Sequence, residues 1–143
     1  MQHRLIWFRD DLRVTDNAAV SAALDCDPNT RISAVFLTAE SDWASFGYGP
    51  NRLYYTQQLL THLSTSLASL GIGLTVIRLK TYHDQVAWIG QFCATECVSD
   101  LYFNQEYQWS ERLRDRQIRD NAGSVAVHAF VDRVLLQPST VLT

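Results

Sequence analysis

The chain is expected to fold as one doubly wound α/β domain, a parallel sheet with helices on both faces. Short, mostly apolar runs alternate along it with longer stretches of helical spacing. Such an alternation closes by right-handed crossovers into a parallel sheet that is covered on both sides. With 143 residues, 47% of them apolar, the chain is long enough for a single domain with its own core.

The elements follow in order. HRLIWF, His3–Phe8, is a mostly apolar run that stops at a charged loop, as a buried strand does. Asp16 is placed to cap a helix that begins NAAVSAAL, because its carboxylate can accept from the free N–H groups of the first turn. RISAVFL, Arg31–Leu37, is the second strand, and TAESDWASFGYGP is a loop of small and aromatic residues.

A long helix is predicted over residues 51–70, with Leu53, Leu59, Leu60, Leu63, Leu67 and Leu70 mostly at helical spacing and Gly71 placed to end it. Residues 73–79, GLTVIRL, make the third strand. A helix follows over Tyr82–Thr95, with Val86, Ile89, Phe92 and Cys93 facing inward, and DLYFN is the fourth strand, ending at Asn104. The polar, aromatic loop QEYQW leads to a helix over residues 110–121 with Ser110 as its natural cap, and SVAVHAF, residues 124–130, is the fifth strand. The tail RVLLQPSTVLT sets off toward something else. The whole reads as a Rossmann-like five-stranded sheet of order 3-2-1-4-5.

Composition excludes several functions. A net charge of −3 and a pI near 5.7 give no basic field to hold a nucleic-acid backbone. The three cysteines lack CxxC spacing and a nearby histidine pair, so they read as reduced thiols and not as disulfides or a zinc site. No apolar leader or membrane-length run is present, and a cytoplasmic protein without membrane contact is expected.

In open α/β sheets ligands bind beyond the carboxyl ends of the strands, where the winding reverses. Here that point falls between strands one and four, at the loops RDDLRVTDN and NQEYQWSER, the two most unusual in the chain. Neither contains GxGxxG or GxxxxGK[ST], so the usual dinucleotide and NTP cradles are missing. His3, His62, His83 and His128 are scattered and no Ser-His-Asp set stands out, so no catalytic residue is assigned.

WFRDDLRVTDN resembles the N-terminal signature of the DNA photolyase and cryptochrome family, W-F-R-x-D-L-R-x-x-D-N. Trp7, Phe8, Arg9, Asp11, Leu12, Arg13, Asp16 and Asn17 fit it in one register. Gly49 and Arg52 at the long helix, Asn104 with Tyr107, Arg114-Asp115 and LLQPSTVLT extend the likeness over essentially the whole chain. It covers the family's first domain alone. The resemblance implies an antenna domain that holds a light-harvesting chromophore: methenyltetrahydrofolate, a deazaflavin or a flavin. FAD and damaged DNA would be bound by a C-terminal helical domain, absent from these residues, so the deoxyribodipyrimidine photo-lyase chemistry would lie outside this chain. That domain, or an equivalent, is the expected partner, and DNA is reached through it.

The resemblance also implies a site made of Arg9, Phe46, Asn104, Tyr107, Ser110 and Glu111. Folate-using members carry W-x-x-H after strand two and an Asn-Glu pair after strand four. This chain has WASF, with Trp43 kept and Phe46 at the His step, and Ser110-Glu111 at the pair. Glu111 can accept from the N–H groups of a pterin, or it can serve the helix N-terminus. Phe46, Tyr48, Tyr107 and Trp109 can stack on a ring or close a core, and Asn104 can meet ligand or tie down its loop.

Arg9, Asp11, Arg13, Asp16 and Asp115 read as a charge network that locks the first loop to the helix after strand four, with ligand contact the alternative for Arg9 or Asp11. A stand-alone nucleotide-, flavin- or partner-binding module and a cryptochrome photoreceptor fragment are the other readings. A domain cut from a larger protein should expose an apolar patch or form a homodimer.

Overall fold

The computed structural model describes residues 2–48 and 50–131. Gly49 and LLQPSTVLT, two of the positions that carry the resemblance, lie outside the described residues. The elements are β1 (His3–Phe8), α1 (Ala18–Leu24), β2 (Arg31–Leu37), α2 (Glu40–Ser45), α3 (Pro50–Ala68), β3 (Leu74–Ile77), α4 (Tyr82–Thr95), β4 (Asp100–Asn104), α5 (Trp109–Asp120) and β5 (Ala126–Phe130). The five strands form one sheet of order β3-β2-β1-β4-β5, and every pairing is parallel.

Successive residues of β1 point to opposite faces of the sheet, and this alternation divides the core. Ile6 and Phe8 join Val20, Leu63, Leu67 and Ile72 from the α1 and α3 side. Leu5 and Trp7 join Ile89, Cys93, Phe103 and Ile118 on the α4 and α5 side. The winding thus runs outward from β1 through β2 to β3, then crosses to β4 and outward again. The reversal lies between β1 and β4, whose carboxyl ends carry the two unusual loops.

α3 ends as Gly71 requires. Gly71 has φ +76°, and Ile72 and Gly71 donate to the Leu67 and Ala68 carbonyls, the paired bonds of a Schellman motif. α4 ends the same way without a glycine: Cys97 takes φ +53° and Val98 donates to the Cys93 carbonyl.

Several expectations need correction. Asp16 does not cap α1. Asp16 sits at φ +51°, and the extended residue after it, Asn17, accepts from the Val20 N–H. Ser110 does not cap α5 either; Gln108 is the N-cap, and Ser110 lies inside the first turn. The loop after β2 contains the one-and-a-half-turn helix α2, too short to show a period, with Glu40 and Asp42 in its first turn. β3 stops at Ile77 because the Thr38 hydroxyl takes over, donating to the Leu79 carbonyl and accepting from the Leu79 N–H. β5 begins at Ala126, two residues later than expected.

Candidate functional site

Arg9 leaves the end of β1 and turns inward. It is 6% exposed, with its guanidinium packed on two rings set edge to face, 4.1 Å from the Trp7 ring centre and 4.0 Å from that of Phe103. Such a cation needs a carboxylate, and α5 provides it: Arg9 Nη1 and Nη2 donate to Asp115 at 2.8 and 2.7 Å. Arg114, 3% exposed, extends the cluster. Its Nε meets Asp115 at 3.1 Å, its Nη2 meets Glu106 at 2.8 Å and its Nη1 meets Gln85 at 3.1 Å. Gln85 in turn donates to the Leu37 and Thr38 carbonyls at the end of β2. One chain of polar contacts therefore ties β1, β2, α4 and α5 together at the switch point.

A second buried set lies beside it. The Asp11 carboxylate accepts from the Arg9 N–H and from the Asn104 and Asn17 side chains. Asn104 Oδ1 accepts from the Ala19 N–H at the start of α1. Asn104 and Asp11 thus brace the α1 entrance. Arg13 and Asp16 lie at the exposed edge of this second set: the Arg13 side chain donates to the Asp16 backbone carbonyl, and the Arg13 carbonyl accepts from the Asn17 side chain. That part of the expected network is a surface turn, because Asp16's left-handed backbone directs the carbonyl, and not the carboxylate, at Arg13.

Above the cluster opens a cavity of about 270 Å³. Arg9, Trp7, Gln85 and Arg114 form its floor, Trp43, Tyr48, Tyr55 and Tyr82 stand in its walls, and Asp10, Arg52, Glu106 and Glu111 line it as well. A shallower hollow of about 370 Å³ shares Asp10, Tyr48, Arg52, Glu106 and Glu111 and adds Tyr107 and Gln108. Arg52 lies 3.8 Å over the Tyr48 ring and 3.9 Å from Asp10. The cleft is flat-walled and aromatic, with carboxyl acceptors along one side.

The electrostatics set the two glutamates apart. Burial opposes the charge of Glu106, but Arg114 and Arg9 outweigh it and hold that carboxyl below its ordinary range. Asp115 is held low by the same two arginines against the same cost of burial. Glu111 goes the other way: burial, then the Glu106 charge and a hydrogen bond from side chain to side chain push it up to about 7. Glu111 also accepts from the Gln108 N–H at 3.2 Å, which anchors it to the start of α5.

Of the six residues expected to meet a cofactor, Arg9, Tyr107 and Glu111 line the cleft. Asn104 is 2% exposed and occupied by the loop. Phe46 is 47% exposed at the end of α2, edge-on to Tyr48 and outside the lining, and Ser110 lies outside it too. The resemblance alone places both in the site, Phe46 at the His step of W-x-x-H and Ser110 at the first place of the Asn-Glu pair. The expectation missed Glu106, Arg114, Tyr82 and Gln85. A signal for one of them was present: Glu111, Arg114, Asp115 and Ile118 fall at helical spacing, so the inward stripe of α5 carries charges where a core stripe is apolar.

The sequence pattern of the DNA photolyase family matches residues 4–143. A deoxyribodipyrimidine photo-lyase of Salmonella typhimurium is 32% identical over 143 residues, all of this chain and 30% of that protein. Among solved structures, a Synechocystis cryptochrome superposes with a TM-score of 0.79 at 23% identity, covering 97% of this chain and 29% of the other. An archaeal photolyase from Sulfolobus tokodaii, described with two FAD molecules, gives 0.73 at 22%, covering 99% and 32%. The chain spans about a third of the length of each of these relatives.

Proposed function

Since this chain belongs to the DNA photolyase family, with the α/β architecture of its N-terminal domain, we propose that it binds a planar light-harvesting chromophore in the cleft over the carboxyl ends of β1 and β2, closed by α3 and the loop from β4 to α5. The observation that carries the reading is the cleft itself. It lies at the carboxyl edge of the sheet, where both unusual loops reach it, with aromatic walls and carboxyl acceptors, built on an ion cluster that fixes the floor.

The residues present fit a flat heterocycle. Tyr48, with Arg52 stacked on it, offers a ring face at the rim beside the exposed Tyr55, and Trp43 and Tyr82 line the inner part. Glu111 and Glu106 accept from ring N–H groups. The Tyr107 hydroxyl is buried without a hydrogen-bond partner among the described residues, which leaves a polar group for an incoming one. Methenyltetrahydrofolate, a deazaflavin and a flavin all have the required shape. The relative solved with two FAD molecules keeps a flavin among the candidates.

The bound chromophore would supply the light absorption, and this chain's residues would position it and exclude water. Light-driven repair of pyrimidine dimers, and contact with DNA, would belong to a C-terminal domain that binds FAD. The outer face of α5, with Trp109 77% and Leu113 43% exposed one turn apart, is the surface offered to that domain or, in the isolated chain, to a second copy.

The experiment is a titration of the chain with methenyltetrahydrofolate, a deazaflavin and FMN, followed by absorption and circular dichroism. One of them should give a red-shifted band with induced ellipticity, weakened about tenfold by Glu111→Ala, roughly the loss of one hydrogen bond to a charged group. No band from any of the three would reduce the domain to a scaffold.

A further inference from the structure

The ionisable groups that line the cleft and its floor do not balance. Two cations, Arg9 and Arg114, face three carboxyls: both contact Asp115 and Glu106, and Glu111 feels Glu106 and Arg114. The surroundings do not correct the excess. At the rim Arg52 and Asp10 oppose each other. The Asp11 carboxylate is turned to the Arg9 N–H, Asn104 and Asn17. From α4 come Gln85 and Tyr82, whose phenol burial pushes up to about 12, and Tyr107 is raised as well, so none of these adds charge at neutral pH. With every carboxyl ionised the cluster carries one uncompensated negative charge; with one proton it is neutral.

Geometry says where that proton sits. Asp115 is clamped by both arginines and Glu106 has Arg114 at 2.8 Å and Arg9 at 4.0 Å, whereas Glu111 has the Gln108 N–H and the Glu106 carboxyl itself. We propose that Glu106 and Glu111 share a single proton, held on Glu111, and that this proton sets which ligands the cleft accepts. The proposal rests on the reading that the cleft binds a heterocycle, and it adds the class: one whose edge presents N–H donors, as an aminopyrimidinone ring does. Such an edge needs the Glu111 carboxylate as acceptor, so binding sends the proton to solvent and leaves a charge-assisted pair behind. A ligand edge made of acceptors alone meets two carboxylates or one proton already engaged, and is refused.

The ligand-free chain tests the pair directly. It contains four glutamates, Glu40, Glu96, Glu106 and Glu111, so carboxyl-labelled glutamate gives four resolvable NMR titrations. One should have its midpoint near pH 7 and disappear in Glu111→Gln. In Glu106→Gln, which leaves two cations against two carboxyls, the Glu111 midpoint should fall toward the ordinary carboxylate range, with burial alone left to hold it up. With methenyltetrahydrofolate as probe, the dissociation constant should rise about tenfold per pH unit below 7, one proton's worth, and that rise should begin at lower pH in Glu106→Gln. All four glutamates titrating in the ordinary range, or a high midpoint that Glu106→Gln leaves unmoved, would overturn the proposal. The expected titration without folate binding at any pH would uphold the shared proton and count against folate as the chromophore.

Discussion

Arg9 is a residue whose burial makes sense only together with Asp115. A guanidinium packed against two aromatic rings has given up its water, and the forked pair at 2.8 and 2.7 Å compensates it. Asp115→Asn should therefore lower stability by about 3–5 kcal/mol, because it takes the forked partner from Arg9 and leaves Arg114 with Glu106 as its one carboxylate. Arg116→Ala on the exposed face of the same helix should change it by less than about 0.5 kcal/mol; denaturant midpoints at pH 7 compare the two. The two carboxyls of α5 also tilt the pH dependence in opposite senses. Asp115 titrates lower in the folded chain than in the unfolded one, so its contribution is present above the unfolded value near 3.8 and is lost as pH falls through the folded one. Glu111 titrates higher, about 7 against 4.5, so the folded state holds a proton that the unfolded state lacks, and stability declines as pH rises from 4.5 to 7. Discounted for partial exposure, that decline is about 1–2 kcal/mol, and Glu111→Gln should remove it. Arg9 and Asp115 were legible as a network in the signature, since charges so close to apolar runs need partners. Glu106 and Gln85 were not, because their partner Arg114 lies on another element and nothing local marks either as buried.

At the level of elements, boundaries were legible where a residue type dictates backbone geometry and obscure where it does not. Gly71 announces the end of α3, whereas Cys97 ends α4 in the same left-handed conformation with no sign in its side chain. The start of α1 was misplaced by one residue, since Asp16 and Asn17 are both good caps by type and backbone conformation alone separates them. Asn17 also donates to the Asp11 and Arg13 carbonyls. Asn17→Ala should accordingly cost about 2–3 kcal/mol, from the cap and the buried polar groups left behind. Asp16→Asn, which keeps a residue tolerant of positive φ, should stay within about 0.5 kcal/mol by thermal or chemical unfolding. The one-and-a-half turns of α2 escaped notice because a single inward residue, Trp43, shows no period.

The whole sheet was the most legible feature of all. Strand number and parallel pairing follow from chain alternation and crossover handedness, which depend on no single side chain, whereas the order 3-2-1-4-5, which places the switch, is one of the doubly wound orders that the alternation allows. How the domain meets its surroundings was not, since an exposed Trp on a helix looks in sequence like any core aromatic. With Trp109 and Leu113 uncovered, the 143-residue chain should elute above its 16.3 kDa mass as concentration rises, and Trp109→Glu should restore the monomer. Light scattering after size exclusion reads both, and a monomer at every concentration would leave that face to a partner of another kind.

The arrangement of the cleft also bears on how its specificity can change over time. Its floor, Arg9 with Arg114 and Asp115, doubles as the joint between sheet and helices, so mutations there remove the protein before they alter what it binds. Its rim, Tyr48, Arg52, Glu111 and Tyr107, stands largely outside that joint. Drift is therefore channelled to the rim, and on the proposed reading of the cleft a lineage would exchange one pigment for another by surface steps while inheriting the foundation unchanged.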